Sequence, residues 1–194
     1  MSRFLFALIT AVALAATAVA QAGTWQIDPK HTAAQFSVKH LGVSTVRGAF
    51  SKVTGSVTHD PADPSKDSLE ATIDASTVDT RLEMRDNDLK SPHFFDVQKF
   101  PTITFKSKSV KSTGSGKLQV TGDLTMHGVT KEVVLDVDGP SAPIKDPMGP
   151  GQRIGASAST KVNRQDFGIV GAPGVVGDDV TITIDAELTQ GPAK

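Results

Sequence analysis

Five histidines, together with many Ser and Asp residues, are the side chains of this sequence with the most chemistry to offer. The histidines lack the H-x-x-x-H spacing that brings two imidazoles to one zinc ion, so the sequence predicts no metal site. No G-x-S-x-G turn presents a serine nucleophile, and a chain without cysteine has no thiol nucleophile. The segment 171–177 is rich in glycine but lacks a following Gly-Lys-Ser/Thr, so it is interpreted as a flexible loop. These patterns favour a binding protein over an enzyme.

Arg164 and Asp166 form the polar pair best suited to contact a ligand head group. If this segment alternates as a strand, both side chains lie on the face opposite Gln165 and Phe167. A local ion pair between Arg164 and Asp166 is the alternative to a ligand contact. His59, in a loop rich in Pro and Asp, is given no role.

Alternation of apolar and polar residues runs through most of the chain after residue 22, most regularly in 180–188. This period of two predicts strands with one buried face. About eight or nine such segments follow one another at hairpin-like spacing. Because no βαβ rhythm interrupts them, the sequence predicts an all-β fold, an antiparallel barrel closed on itself. A one-residue change of phase at Ser51-Lys52 predicts a β-bulge or bend.

One short helix is predicted in the middle of the chain, where the alternation stops. Thr80 and Glu83 have the spacing of a capping box, and Pro92 ends the helix, which gives bounds of 81–90. The apolar face of this helix is weak, so neighbouring residues must hold it in place. Three phenylalanines in the next segment are predicted to do so: Phe94, Phe95 and Phe100. They form either a hydrophobic plug that seals one end of the β-structure or a contact with a ligand.

The predicted interior mixes small and large residues at inward positions. Small residues such as Ala156 and Ala158 in phase with apolar neighbours indicate unfilled volume that could hold one ligand. Alternatively, the large side chains Phe36, Phe50 and Phe105 interdigitate and fill the barrel. The pattern alone leaves both alternatives open.

The first part of the chain predicts export. Residues 1–22 combine Arg3, an apolar run and small residues at Ala18, Ala20 and Ala22, the pattern of a cleaved secretory signal peptide. Residues 23–194 then form one domain, periplasmic or secreted. The chain has a net charge of −1 and no basic run, so nucleic acid is not expected as a partner.

Several motifs, in a fixed order across residues 25–169, resemble those of the YceI-like family of bacterial secreted proteins. They are Trp25–His31, Phe36–His40, Val46–Phe50, Arg85-Asp86 with Leu89, Phe94–Val97, Phe100–Phe105, Gly122–Lys131 and Asn163–Ile169. The chain departs from the family pattern at Asn87-Asp88, where an acid and a histidine are more usual, and at Thr32, where Ser is usual.

The resemblance implies an extended lipocalin-like barrel whose interior binds a polyisoprenoid, a prenylquinone-like molecule or a similar long amphiphilic lipid, without another cofactor. It also implies transient contact with membrane surfaces, and it leaves a homodimer open. A structural or stress-protective protein without a lipid cargo is the alternative function. The candidate ligand-binding residues are Phe36, Val38, Phe50, Phe94, Phe105, Leu124, Ala156, Ala158, Arg164, Asp166, Phe167 and Ile182.

Overall fold

A computed structural model describes residues 22–191 of the chain. The predicted signal peptide, residues 1–22, lies outside these described residues except for Ala22. Among residues 22–191, no helix combines the length and the apolar character needed to cross a bilayer.

The described residues form twelve strands and one α-helix. The strands are β1 (Gly23–Ile27), β2 (Ala33–His40), β3 (Ser44–Phe50), β4 (Val53–His59), β5 (Ser68–Asp74), β6 (Val78–Asp79), β7 (Thr102–Gly114), β8 (Lys117–Met126), β9 (Val129–Asp138), β10 (Ile144–Lys145), β11 (Gln152–Asn163) and β12 (Val176–Gln190). The helix, α1, spans Glu83–Lys90.

All strand pairs are antiparallel, and their order closes on itself. Strand β11 pairs with β9 on one side and with β12 on the other, and β12 pairs in turn with β1 and β2. Three positions of the ring hold two successive strands each, namely β1 with β2, β3 with β4, and β5 with β6. Counted this way the barrel has eight strand positions, with β10 as a short addition beside β11. The predicted closed antiparallel barrel is therefore confirmed.

The phase change at Ser51-Lys52 is a bend between two strands. Strand β3 pairs with β2 and β6, whereas β4 pairs with β1 and β5. The two exposed residues at the bend let Phe50 and Val53 both turn inward, where each is buried. A break of two residues thus keeps one face of the chain inside while the wall changes direction.

The helix exists, but its predicted capping box is wrong. Helix α1 begins at Glu83, and its start carries no side-chain cap because Arg81 adopts a left-handed φ of 65° that a helix cannot include. The Thr80 hydroxyl donates instead to Asp86 Oδ1, which also accepts the Thr80 amide at 2.8 Å. The helix ends before Pro92, as predicted.

The phenylalanine plug is present at the end of the barrel that carries α1, hereafter the α1 end. Phe94 is buried, and the ring of Phe95 packs edge-on against Phe50 at a centroid distance of 5.4 Å. Phe100 packs edge-on against His127 at 4.7 Å. The segment 168–175, which precedes β12, lies at this same end, where His93 Nε2 accepts the Ala172 amide at 3.2 Å. Two segments therefore cover the α1 end together.

Candidate ligand-binding cavity

An apolar cavity of about 260 Å³ lies inside the barrel. Its wall consists of inward side chains from nearly every strand, and Leu89, Phe94 and Phe95 border it at the α1 end. A cavity of about 150 Å³ lined by apolar residues already stays dry and binds benzene. The barrel is therefore not a solid core, and its interior suits an apolar molecule.

Ten of the twelve predicted ligand-binding residues line this cavity: Phe36, Val38, Phe50, Phe94, Phe105, Leu124, Ala156, Ala158, Arg164 and Ile182. The strand register brings them together from positions far apart in sequence, because inward residues of adjacent strands face each other. Phe105, for example, pairs with Leu124 on one side and Ala71 on the other. Their contact with a ligand stays a prediction.

The small inward residues serve both of the purposes that the sequence left open. A Cβ on Gly48 would lie 2.5 Å from the Phe36 ring, and one on Gly122 would lie 2.5 Å from the Phe105 ring, so these glycines make room for large neighbours. Ala156 and Ala158 instead border the cavity itself. Interdigitation fills part of the barrel, and alanines leave the remaining space open.

Asp166 and Phe167 do not line the cavity, and the predicted ion pair between Arg164 and Asp166 is wrong. Residues 164–167 form a turn of 3-10 helix, so the alternation of a strand does not apply to them. Asp166 is exposed, whereas Phe167 is only 1% exposed in the core around the cavity. Arg164 pairs with Asp178, with 3.1 Å between Nη2 and Oδ1.

Arg164 holds the segment before β12 rather than offering a free charge to a ligand. It is 4% exposed, and its guanidinium donates to four backbone carbonyls, those of Ile169, Gly171, Val176 and Gly177, at 2.8–3.1 Å. The contact with Asp178 takes a fifth N–H. A guanidinium has five N–H donors, so none is left for a head group. Only the side-chain stem of Arg164 can contact a molecule in the cavity.

A polar pair that sequence reasoning missed, His59 and Asp67, borders the cavity at the end opposite α1. His59 ends β4, Asp67 precedes β5, and the His59 Nδ1 lies 2.8 Å from Asp67 Oδ2. Their side chains are 15% and 7% exposed. The only signal in the sequence is that the loop between them is rich in proline and aspartate. Alternation could not predict this contact, because it depends on how that loop closes.

A second polar cluster lies outside the cavity, around Arg153. Asp28, His31 and Glu187 come within reach of a single cation, with ligand atoms less than 4.8 Å apart. The Arg153 guanidinium already contacts Asp28 at 2.9 Å, Asp146 at 3.0 Å and Glu187. This cluster is therefore an ion network that uses arginine as its cation.

The Arg153 network also sets the protonation of its carboxylates. The hydrogen bond from His31, then the Lys30 amide and the Arg153 guanidinium, lower the pKa of Asp28 from 3.8 to about 2. Arg153, followed by the Met148 amide, lowers the pKa of Asp146. These carboxylates are charged when the barrel is folded, which ties the β1–β2 turn to β11 and β12.

Comparison with known proteins places the chain among relatives of one kind. A family model described as the YceI-like domain matches residues 25–188. Protein YceI of Salmonella arizonae is 37% identical over 192 residues, covering 98% of this chain and 99% of that protein. The crystal structure of the Campylobacter jejuni YceI protein superimposes with a TM-score of 0.66 at 32% identity, covering 78% of this chain and 89% of that one.

A further solved structure, from Saccharophagus degradans, shares the fold. It is described as a polyisoprenoid binding domain implicated in plant cell wall breakdown. Its TM-score is 0.63 at 16% identity, and the match covers 87% of this chain and 98% of that one.

Proposed function

Because the chain belongs to the YceI-like family, we propose that it is a binding protein that sequesters or carries a long isoprenoid-type lipid, polyprenyl or prenylquinone-like, inside its barrel. The observation that carries this proposal is the apolar cavity of about 260 Å³, walled by inward residues of the closed sheet. The Saccharophagus neighbour, described as a polyisoprenoid binding domain, has the same fold and supports the choice of ligand class.

The energetics of burial favour a carrier that exchanges its cargo at membranes. A lipid tail of about 20 carbons gains on the order of 16 kcal/mol over water, before ordering costs, at ~0.8 kcal/mol per buried CH₂. Relative to a bilayer, where the tail is already buried, the net gain is near zero. The barrel can therefore take up and release such a lipid at a membrane while protecting it in water.

Transient membrane contact is proposed to occur at the α1 end. Four exposed apolar residues in the turns of this end form what we call the apolar rim: Leu41, Val43, Val170 and Val175. The Leu41 amide donates to the Val175 carbonyl at 2.7 Å, which places two of these turns side by side. Exposed apolar clusters of this kind mark interaction sites. With the predicted signal peptide, this supports a carrier in the periplasm or outside the cell.

Ala158 provides the test of the cavity. It lies opposite Ile184 and Val137 and borders the cavity, so Ala158→Phe should displace about three or four CH₂ groups of a bound tail and weaken binding roughly 100-fold. The ring enters ligand space, so the melting temperature should stay near that of the wild type. Binding of a prenyl alcohol of about 20 carbons is measured by calorimetry, and co-purified lipid by extraction and mass spectrometry.

The matched control is Ser159→Phe, which adds the same ring at the exposed neighbouring position on β11. It should bind the prenyl alcohol like the wild type. A barrel without a lipid cargo would give no binding in any of the three proteins. A large loss of stability in Ala158→Phe would mean that the cavity has no room at this position.

A further inference from the structure

Among the described polar residues that border the cavity, His59 has a ring fixed by a hydrogen bond at Nδ1, while its other nitrogen makes no hydrogen bond. Resting on the proposed function, we propose that His59 is the head-group site of the barrel and that its Nε2 accepts a hydrogen bond from a hydroxyl, an alcohol or a phenol, on the bound lipid.

The geometry holds the His59 ring in a fixed orientation. Asp67 Oδ2 lies 2.8 Å from Nδ1, and Asp67 Oδ1 accepts the Asp60 amide at 2.7 Å. Both carboxylate oxygens are therefore in use, and Asp67 orients the ring rather than contacting the ligand. Nε2 of His59 makes no hydrogen bond to any residue in the range 22–191, although the side chain is only 15% exposed and borders the cavity.

The hydrogen bond to Asp67 decides what Nε2 can bind. An ionised carboxylate only accepts hydrogen bonds, so Nδ1 of His59 carries the proton that it donates to Asp67. In the neutral imidazole the other nitrogen then has a lone pair and no proton, and it acts as an acceptor. A hydroxyl can donate to it, whereas an ether, a quinone carbonyl or a fully ionised phosphate cannot. For a prenylquinone-like lipid, the site selects the hydroquinone over the quinone.

The position of His59 also orients the lipid. The ends of β4 and β5 that flank the loop lie opposite α1, since His59 pairs with Gly23 whereas Phe50 pairs with Val78 near the helix. At the α1 end, Arg164 is the one Lys or Arg among the described residues of the wall, and all its donors are in use. A head group at His59 therefore directs the tail along the cavity toward Leu89, Phe94 and Phe95.

The test compares two probes that differ in one donor, a prenyl alcohol of about 20 carbons and its methyl ether. The wild-type protein should bind the alcohol about tenfold more tightly, the value of one partly buried hydrogen bond. His59→Asn should abolish this preference, so that the alcohol and the ether bind with equal affinity. The asparagine amide can still donate to Asp67 from the place of Nδ1, so the loop stays closed, but nothing replaces Nε2.

His31→Asn is the matched control. His31 makes the same 2.8 Å contact through Nδ1, to Asp28, but is 56% exposed and does not border the cavity. It should keep the tenfold preference. A second measurement needs no variant: the ¹⁵N signal of His59 Nε2 in the wild type should shift on addition of the alcohol and not of the ether.

The outcomes separate this inference from the proposed function. If the wild type binds alcohol and ether equally, or if His59→Asn keeps the preference, the head-group site is wrong while lipid binding stands. If the wild type binds neither probe, the proposed function itself fails.

Discussion

At the scale of single residues, Arg153 and its partners form an ion network that stabilises the wall of the barrel and does not border the cavity. Arg153 lies on β11, and its contacts reach the β1–β2 turn through Asp28, the 139–151 loop through Asp146, and β12 through Glu187. One guanidinium thereby joins four parts of the barrel at the end opposite α1.

This network predicts how stability depends on pH. The pKa of Asp28 is about 2 in the folded protein and 3.8 ordinarily, so its contribution is complete above about pH 4 and is lost as the pH falls toward 2. The lowered pKa of Asp146 acts in the same direction. Asp28→Asn should therefore be less stable than the wild type near neutral pH, and its urea midpoint should fall less between about pH 4 and pH 2.

Asp166→Asn serves as the comparison for this experiment. Asp166 is exposed and has no ion pair within the described part of the chain, so its substitution should leave the pH profile of the wild type unchanged. Equal acid slopes for wild type and Asp28→Asn would show that the network does not respond to acid as inferred.

At the scale of elements, one arginine holds the segment that leads into β12. Arg164 is buried and donates to the carbonyls of Ile169 and Gly171 before β12 and to those of Val176 and Gly177 at its start. Glycine-rich sequence in 171–177 predicted a flexible loop, but a segment bonded to one buried side chain is expected to be ordered with it. His93 joins the same segment to the region after α1.

Arg164→Lys tests this tether. Lysine keeps the charge, but its three donors are on a single nitrogen. It therefore cannot reach all the carbonyls that surround the planar guanidinium of Arg164. At least two buried carbonyls should lose their partners, which should lower the free energy of unfolding by about 2–4 kcal/mol. Urea unfolding measures the loss, and hydrogen exchange should quicken in 168–177 before it does in β11.

The same substitution at an exposed site gives the control, because Arg47 on β3 is solvent-exposed. Arg47→Lys should change stability by less than about 0.5 kcal/mol. Arg164→Lys with wild-type stability and exchange would contradict the tether.

The elements also show what alternation in the sequence can and cannot predict. Inward residues such as Phe36 and Ala158 were predictable because side chains in a strand alternate with a period of two. The rule failed at Arg164–Phe167, because a 3-10 turn repeats every three residues. The capping box at Thr80 failed because spacing alone does not report the left-handed backbone of Arg81. The His59–Asp67 contact requires the closed loop and has no periodic signal at all.

At the scale of the whole molecule, exposed apolar residues are distributed unevenly between the two ends of the barrel. The apolar rim is at the α1 end, and Leu82 and Met84 of the helix region are exposed there as well. Ile144 and Met148 are the exposed large apolar residues in the 139–151 loop at the other end. If cargo is exchanged at membranes, the end with the larger apolar surface should make the contact.

Val43→Asp is expected to slow the transfer of prenyl alcohol from the protein to lipid vesicles roughly tenfold, the effect of losing one buried valine at the membrane. The equilibrium affinity for the alcohol in water should not change, because Val43 is 84% exposed and does not border the cavity. Stopped-flow transfer of a fluorescent prenyl analogue measures the rate.

Ile144→Asp places the same charge on an exposed apolar residue at the opposite end. It should transfer cargo at the wild-type rate. Equal slowing by both substitutions would remove the α1 end as the docking surface.

The closing seam of the barrel has a consequence for how the protein is made. Strand β12 pairs with β1 at Gln26 and Thr189, so the first and last of the described strands meet. Contacts between residues so distant in sequence form late, because the loop entropy must be lost before the contact is gained. The folding chain therefore exposes an open apolar trough until β12 has joined the sheet. If the barrel carries a lipid as proposed, a first molecule can enter sideways during that interval, whereas exchange in the finished barrel would pass through one of its ends.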